Sequence, residues 1–282
     1  MKLAGSIQFG DWVRVVGGRS MRNICLTIAY DGTNYHGFQR QPEFHGPTIQ
    51  GTMEAVWQEL TGETVRFYTA GRTDTGVHAA GQVVNFASGC RIPNGKIPKA
   101  FNSLLPYDIR VLAARDERED FNARRSAAWK RYDYLIENRP IYDVFHRLYA
   151  LHEPVPLNVA AMQEAASYLE GKHNFRAFAA AGGSSRTFER TLYCCKIELQ
   201  GTLLRVMCIG DGFLYNMVRI IVGTLLKVGK GRMAPAEIPV ILANGSRRAA
   251  GQTAPPNGLT LMYVHYGAES PLVVFPELKA GI

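Results

Sequence analysis

Six consecutive residues, Gly71-Arg72-Thr73-Asp74-Thr75-Gly76, place a carboxylate, a guanidinium and two hydroxyls between two glycines. Glycine lacks the Cβ that penalises positive φ, so the chain can turn sharply on either side of the acid and a ligand can approach closely. Asp74 in such a loop is suited to nucleophilic or acid–base chemistry. It is equally suited to a plain turn in which Asp74 or Thr73 bonds nearby backbone amides, and the residues by themselves leave both readings open. Some chemistries are excluded. The segment lacks the Gly-Lys-Ser/Thr ending of a phosphate-binding loop, and no GxGxxG follows a strand to support hydride transfer. His36 and His78 are candidate acids or bases, but a histidine in a glycine-flanked turn more often bonds backbone or phosphate, and neither is assigned a catalytic role.

The elements around this loop follow from hydrophobic periodicity. Residues 22–30, RNICLTIAY, alternate with β-branched content and stop at Asp31-Gly32, which predicts a strand and a turn. After Pro47, Thr48 can cap a helix whose apolar positions Ile49, Met53, Val56, Trp57 and Leu60 keep the 3.6 period up to Gly62. Strand-like stretches at 64–69 and 82–87 flank Asp74, so the acid is expected on a loop between strands, where chemistry concentrates. Pro98 suits the first turn of a helix at 98–105, followed by a strand at 109–114. The charged stretch Arg115 to Asp120 is a candidate boundary. Beyond it come a strand at 127–137, a helix capped by Asn158 running through Leu169 to Gly171, strands at 190–199 and 202–209, and a helix at 214–228 with a broad apolar stripe. A late strand around Val264 follows the Pro-Pro-Asn-Gly turn at 255–258, and coil is expected from Pro271. Strands and helices are mixed in both halves without regular βαβ spacing, which predicts an α+β fold of largely antiparallel sheets. The expected division is 1–21 as a dispensable N-terminal extension or an overcalled start, 22–120 and 121–268 as two α+β subdomains, and 269–282 as a C-terminal tail.

At 282 residues and 46% hydrophobic content, the chain can bury a sizeable core. Lys and Arg total 32 against 24 Asp and Glu, a formal charge of +8 that suits a polyanion such as nucleic acid. Cys25, Cys90, Cys194, Cys195 and Cys208 form no CxxC and have no histidine at zinc-ligand spacing, so no metal is expected and a reduced, cytoplasmic protein is. No uninterrupted apolar run reaches the roughly eighteen residues of a membrane span, and no export signal is evident.

The decapeptide AGRTDTGVHA around Asp74 closely resembles the signature of the tRNA pseudouridine synthase A family, Ala-Gly-Arg-Thr-Asp-Ala-Gly-Val-His-Ala, departing only at Thr75. Tyr30-Asp31-Gly32-Thr33-Asn34-Tyr35-His36-Gly37-Phe38-Gln39-Arg40-Gln41 resembles the family's YDGxxYxGxQRQ stretch, and Phe121-Asn122-Ala123-Arg124 its FxAR. Further similar blocks are Arg131-Tyr132-Asp133-Tyr134, Phe213 to Arg219 followed by Ile221-Val222-Gly223, and Gly258-Leu259-Thr260-Leu261. The blocks keep the family's order from about residue 22 to 266.

The resemblance implies a pseudouridine synthase fold whose halves meet at a central basic cleft. It also implies isomerisation of uridine to pseudouridine in the anticodon stem-loop of several tRNAs, a homodimer, and no cofactor. Asp74 is then the essential carboxylate, Arg219 its ion-pair partner, and Tyr132 the ring stacked on the target uracil. Arg72, Gln39, Arg40 and Lys130 become candidate RNA contacts, with Arg131 and Arg186 further cations beside the blocks; solvated surface charge is the alternative for each. The chemistry fits these assignments: a carboxylate that attacks C1′, or assists loss of the base through a glycal, needs a nearby cation to stay charged where water is excluded. Tyr132 and Tyr134 share a strand face, and only one need meet the ligand. Two other readings compete. One is a catalytically silent RNA-binding module. The other is a glycoside or nucleoside hydrolase, which ordinarily needs a second carboxylate, and none occurs in these blocks.

Overall fold

The computed structural model describes residues 21–41 and 46–279. The expectation about residues 1–20 lies outside this range. The strands are β1 (Arg22–Tyr30), β2 (Tyr68–Thr69), β3 (His78–Ser88), β4 (Ile109–Glu117), β5 (Trp129–Asn138), β6 (Leu151–Glu153), β7 (Gly171–Asn174), β8 (Glu189–Gln200), β9 (Leu203–Gly210) and β10 (Leu259–His265). The helices are α1 (Ile49–Thr61), α2 (Ile97–Leu104), α3 (Val159–Ser167), α4 (Met217–Gly229), α5 (Glu237–Asn244) and α6 (Pro271–Val274).

One mixed sheet spans the fold in the order β4-β1-β3-β10-β5-β9-β8-β7, with β2 paired to β3 and β6 to β5. Its ladders are antiparallel except β10–β3 and β5–β6. The α+β expectation therefore holds, and strands from the two halves of the sequence join directly where β10 lies beside β3. That contact sets Leu261 opposite Ala79 on one side and opposite Tyr132 on the other, so the strand carrying Tyr132 sits one strand away from the end of the Asp74 loop.

Where local chemistry is explicit, the elements begin and end as the residues dictate. Thr48 accepts a hydrogen bond from Gly51 N to cap α1, and Gly62 closes the helix at φ 74°. Asn158 accepts from Ala161 N at the start of α3. In β1, Ile24, Leu26 and Ile28 are fully buried, each contributing about 1.5–3 kcal/mol by leaving water.

The departures have physical causes. The 64–69 strand shrinks to two residues, because only Tyr68 and Thr69 pair with β3. Helix α3 stops at Ser167, and Gly171 opens β7 at φ 100° rather than capping the helix. Within the charged stretch, Arg115 to Glu117 continue β4 against β1. Helix α4 begins at Met217, not 214, because Asn216 takes a left-handed φ of 59° just before it. The tail from Pro271 is not coil: α6 and a 3-10 turn at Pro276–Lys279 set Val274, Phe275 and Leu278 against Trp129, Cys194, Met207 and Ile209 on the second face of the sheet. The expectation failed there because the covering residues are spread over two short turns that never complete a helical period.

Candidate active site

The Asp74 loop is packed against a segment, residues 32–38, whose glycines allow unusual closeness. Phe38 N donates to Thr73 O at 3.0 Å, and Val77 N donates back to Asp74 O at 3.1 Å. Gly37, at φ 83°, passes so near that a Cβ would lie 2.8 Å from Thr73 O; a Cβ on Gly32 would lie 2.0 Å from Val77 O. Any side chain at either position would drive the loop away. Tyr30 Oη shares a 2.7 Å hydrogen bond with Thr73 Oγ1, and Gln82 Nε2 donates to Gly71 O at 2.7 Å. Burial pushes the Tyr30 hydroxyl up to about 12, so it stays a neutral tether. His78 is buried, its Nδ1 3.1 Å from Gly32 N and its Nε2 within 3.2 Å of the carbonyls of Leu148 and Asn257. It fastens the loop to the other half of the chain rather than facing a reactant.

Arg219 reaches Asp74 from the first turn of α4. That helix is apolar nearly all round, and Arg219 and Lys227 are its residues outside the core. Arg219 Nη1 lies 3.1 Å from Asp74 Oδ2 and donates also to Asn216 Oδ1 at 3.0 Å, while Nε donates to Ala254 O at 2.7 Å. The guanidinium is thus aimed by three acceptors. Gly223 makes the Ala254 contact possible: a Cβ there would stand 1.7 Å from Gln252 O, so only glycine lets residues 251–254 cross the helix. Asp74 Oδ1 has no hydrogen-bond partner among the described residues. One oxygen of the acid is therefore held and the other is available, with the side chain 29% exposed against 15% for Arg219.

Tyr132 is 8% exposed and its ring meets Phe213 edge-on, centroids 5.0 Å apart. A Cβ at Gly71 would sit 3.4 Å from its Oη and 3.9 Å from Lys130 Nζ, so both tips close on the backbone just before Asp74. Burial, reinforced by Tyr30 and Asp74 nearby, holds the Tyr132 hydroxyl in its neutral form well above the ordinary range. Tyr134 lies inward: it is fully buried and donates to Pro255 O at 2.8 Å, anchoring the turn that precedes β10. Of the two tyrosines on the strand, Tyr132 faces the acid.

Asp74, Arg219, Tyr132, Lys130 and, through the loop itself, Arg72 are thus brought together. Arg72 is exposed and makes no ion pair or hydrogen bond among the described residues. Arg40 turns to α1, 3.7 Å from Glu54, beside a groove of about 510 Å³, and Gln39 precedes it just beyond the Phe38 contact. Arg131 points to the opposite face, where Asp133 pairs with it at 2.8 Å and its guanidinium lies 4.9 Å from the centre of the Phe275 ring. Asn216, Phe213 and Ala254 complete the site without having been assigned roles in advance. Asn216 left a faint signal, since asparagine just before a helical stripe tolerates left-handed φ; a backbone carbonyl such as Ala254 O leaves none.

Comparison with known proteins identifies the family of the chain. Residues 26–124 and 165–267 match the model of a family described as tRNA pseudouridine synthase, and these segments contain Asp74 and Arg219. A tRNA pseudouridine synthase A of Moorella thermoacetica is 50% identical over 241 residues, covering 86% of this chain and 98% of its own. Proteins of the same name from Syntrophomonas wolfei and a Thermoanaerobacter species are 48% and 46% identical, over 89% and 87% of this chain and all of theirs. The chain belongs to the tRNA pseudouridine synthase family, whose members are isomerases of RNA uridines.

Proposed function

We propose that this protein converts uridines in the anticodon stem-loop of several tRNAs to pseudouridine, with Asp74 as the reacting carboxylate. The reaction breaks the N1–C1′ bond, turns the base and joins C5 to C1′ with no change in composition, so it makes no demand for an oxidant or reductant. The observation that carries the reading is the 3.1 Å pair between Asp74 and Arg219, two residues 145 positions apart in sequence, with one acid oxygen left unengaged. That free oxygen can attack C1′ directly or assist departure of uracil through a glycal. Tyr132 offers a buried ring on which a uracil drawn out of its stack is held, an interaction worth about 1–3 kcal/mol per base. Arg72, Gln39, Arg40 and Lys130 are proposed backbone contacts, positioning the RNA without reading its sequence.

A homodimer in the cytoplasm is part of the same proposal. Ile141, Tyr142, Val144 and Phe145 form an exposed apolar strip between β5 and β6 of the kind a second copy covers, and light scattering tests for it. The described residues include no helix long and apolar enough to cross a membrane. We also propose 22–120 and 121–268 as subdomains, each supplying part of the site.

The test is to incubate the protein with unmodified tRNA and map pseudouridine by carbodiimide labelling and primer extension. Product in the anticodon stem-loop supports the reading. Free uracil would replace it with a hydrolase, and binding without product would replace it with a silent RNA-binding module.

A further inference from the structure

Lys130 stands at the start of β5 opposite Gly210 of β9, whose missing Cβ makes room for Leu192 and Phe213. It forms no ion pair with any described residue, and its Nζ lies against Gly71 beside the catalytic loop. Burial, together with the charges of Arg124 and Arg190, pulls its ammonium down to about 8. Arg190 likewise has no carboxylate partner among the described residues. Its Nη1 donates to Thr187 O at 3.1 Å, Thr187 Oγ1 at 3.3 Å and Glu189 O, and its Nη2 to Ser185 Oγ at 3.4 Å. Its Nε lies 3.1 Å from where a Cβ on Gly212 would stand, next to the Phe213 that meets Tyr132. Arg124 is exposed, and its side chain is unpaired among the described residues. Asp211 uses Oδ1 to accept from Thr191 N, Glu189 pairs with Lys172, and neither acid forms an ion pair within 4.0 Å with any of the three.

Arg124 and Arg190 thus lie near enough for their charges to act on Lys130, and none of the three has an ion-pair partner among the described residues. Gathering like charges in a partly buried place is unfavourable unless an anion completes it. The donors suit a tetrahedral oxyanion: the lysine is a compact point charge, and each arginine is a planar fork able to take two oxygens.

We propose that Lys130, Arg124 and Arg190 form a subsite for a single backbone phosphate of the RNA, adjacent to the nucleotide whose base Tyr132 holds. This rests on the RNA-modifying reading above. It gives that reading a fixed register: with the neighbouring phosphate clamped on the Gly71 side, the target sugar is held at a set distance from Asp74.

The experiment uses the full chain carrying Asp74→Asn, so that substrate is not consumed, and measures Kd for unmodified tRNA over a range of salt. Lys130→Met and Arg190→Gln should each weaken binding by about tenfold or more, as loss of a charged hydrogen bond does. Each should also reduce the slope of log Kd against log salt by about 1. Lys130→Arg should keep the slope, because it keeps the charge. A structural defect would lower affinity without changing the slope. Unchanged slopes in both charge-removing variants would overturn the subsite, and Arg190→Gln alone decides if Lys130→Met fails to fold. Pseudouridine formation by the unsubstituted protein is measured in parallel: product with unchanged slopes sinks only the subsite, whereas altered slopes without product sink the isomerase reading and leave the phosphate site standing.

Discussion

Replacing Arg219 by alanine and, separately, by lysine distinguishes the charge of this side chain from its aim. Alanine leaves Asp74 Oδ2, Asn216 Oδ1 and Ala254 O without their donor, all at 2.7–3.1 Å in the intact protein. Breaking a buried ion pair costs about 3–5 kcal/mol. Asp74 is 29% exposed, so water offsets part of this, and about 2–3 kcal/mol is a fairer figure for the loss of a partly solvated partner. If the whole of that figure is felt in the transition state, turnover falls roughly 30–150-fold. Lysine keeps the charge, but one ammonium cannot stand in for Nε on Ala254 O and Nη1 on Asp74 at once. It therefore forfeits one charged hydrogen bond, about 1.5–3 kcal/mol, and turnover should fall about 10–100-fold. Single-turnover rates on an unmodified anticodon stem-loop, with tRNA affinity measured alongside, give the answer. Arg219→Ala should retain most of its binding. Near-normal turnover in that variant would remove Arg219 from the site, and a lysine variant as active as the unsubstituted protein would refute the argument from the fork.

Gly223→Ala should destabilise the fold by at least about 3 kcal/mol, since its Cβ would land 1.7 Å from Gln252 O and the crossing that supports Ala254 would have to open; an unchanged urea midpoint would contradict this. Tyr132→Leu should lower kcat/KM by about 1–3 kcal/mol through lost stacking, while Tyr132→Phe, which keeps the ring, should lose much less; equal losses in the two would assign the effect to the hydroxyl instead. Lys130 binds its proton less tightly folded, near 8, than unfolded, near 10.5. Between those values the unfolded chain holds more protons, so the Lys130 contribution to stability rises with pH there, and below 8 the full burden of a buried ammonium is present. Lys130→Met should therefore raise the Tm near pH 7, with the gain shrinking as pH climbs from 8 towards 10.5. A Tm lowered by the substitution at pH 7 would show that the ammonium is not an electrostatic burden.

The sequence declared more of the local structure than of the site. Thr48, Gly62 and Asn158 announce their helix ends because capping is decided within a few residues. The Asp74 loop was recognisable as glycine-bracketed, yet its role stayed open until distant blocks resembled a family, because pairing with Arg219 depends on a fold that brings α4 to β3. Lys130 and Arg131 are adjacent in sequence, yet they differ completely in surroundings: strand alternation sends one towards Gly71 and the other to Asp133 and Phe275. The α5 helix was hidden by Pro239 near its start, and the covering role of residues 271–279 by turns too short to show a period. The docking of Ala254 O on Arg219 has no sequence signature, and Gly223 betrays it only once the crossing is seen.

The central claim is that the Asp74 carboxylate does the chemistry while its neighbours position the uridine. It is tested most directly by release of tritium from tRNA labelled at uridine C5, a hydrogen that must leave when C5 joins C1′, measured for the unsubstituted protein and for Asp74→Asn. Asp74→Asn should bind the tRNA, melt normally and release no tritium, while the unsubstituted protein releases it in step with pseudouridine formation. Tritium release by the asparagine variant at a rate near that of the unsubstituted protein would show that the reaction proceeds without this carboxylate.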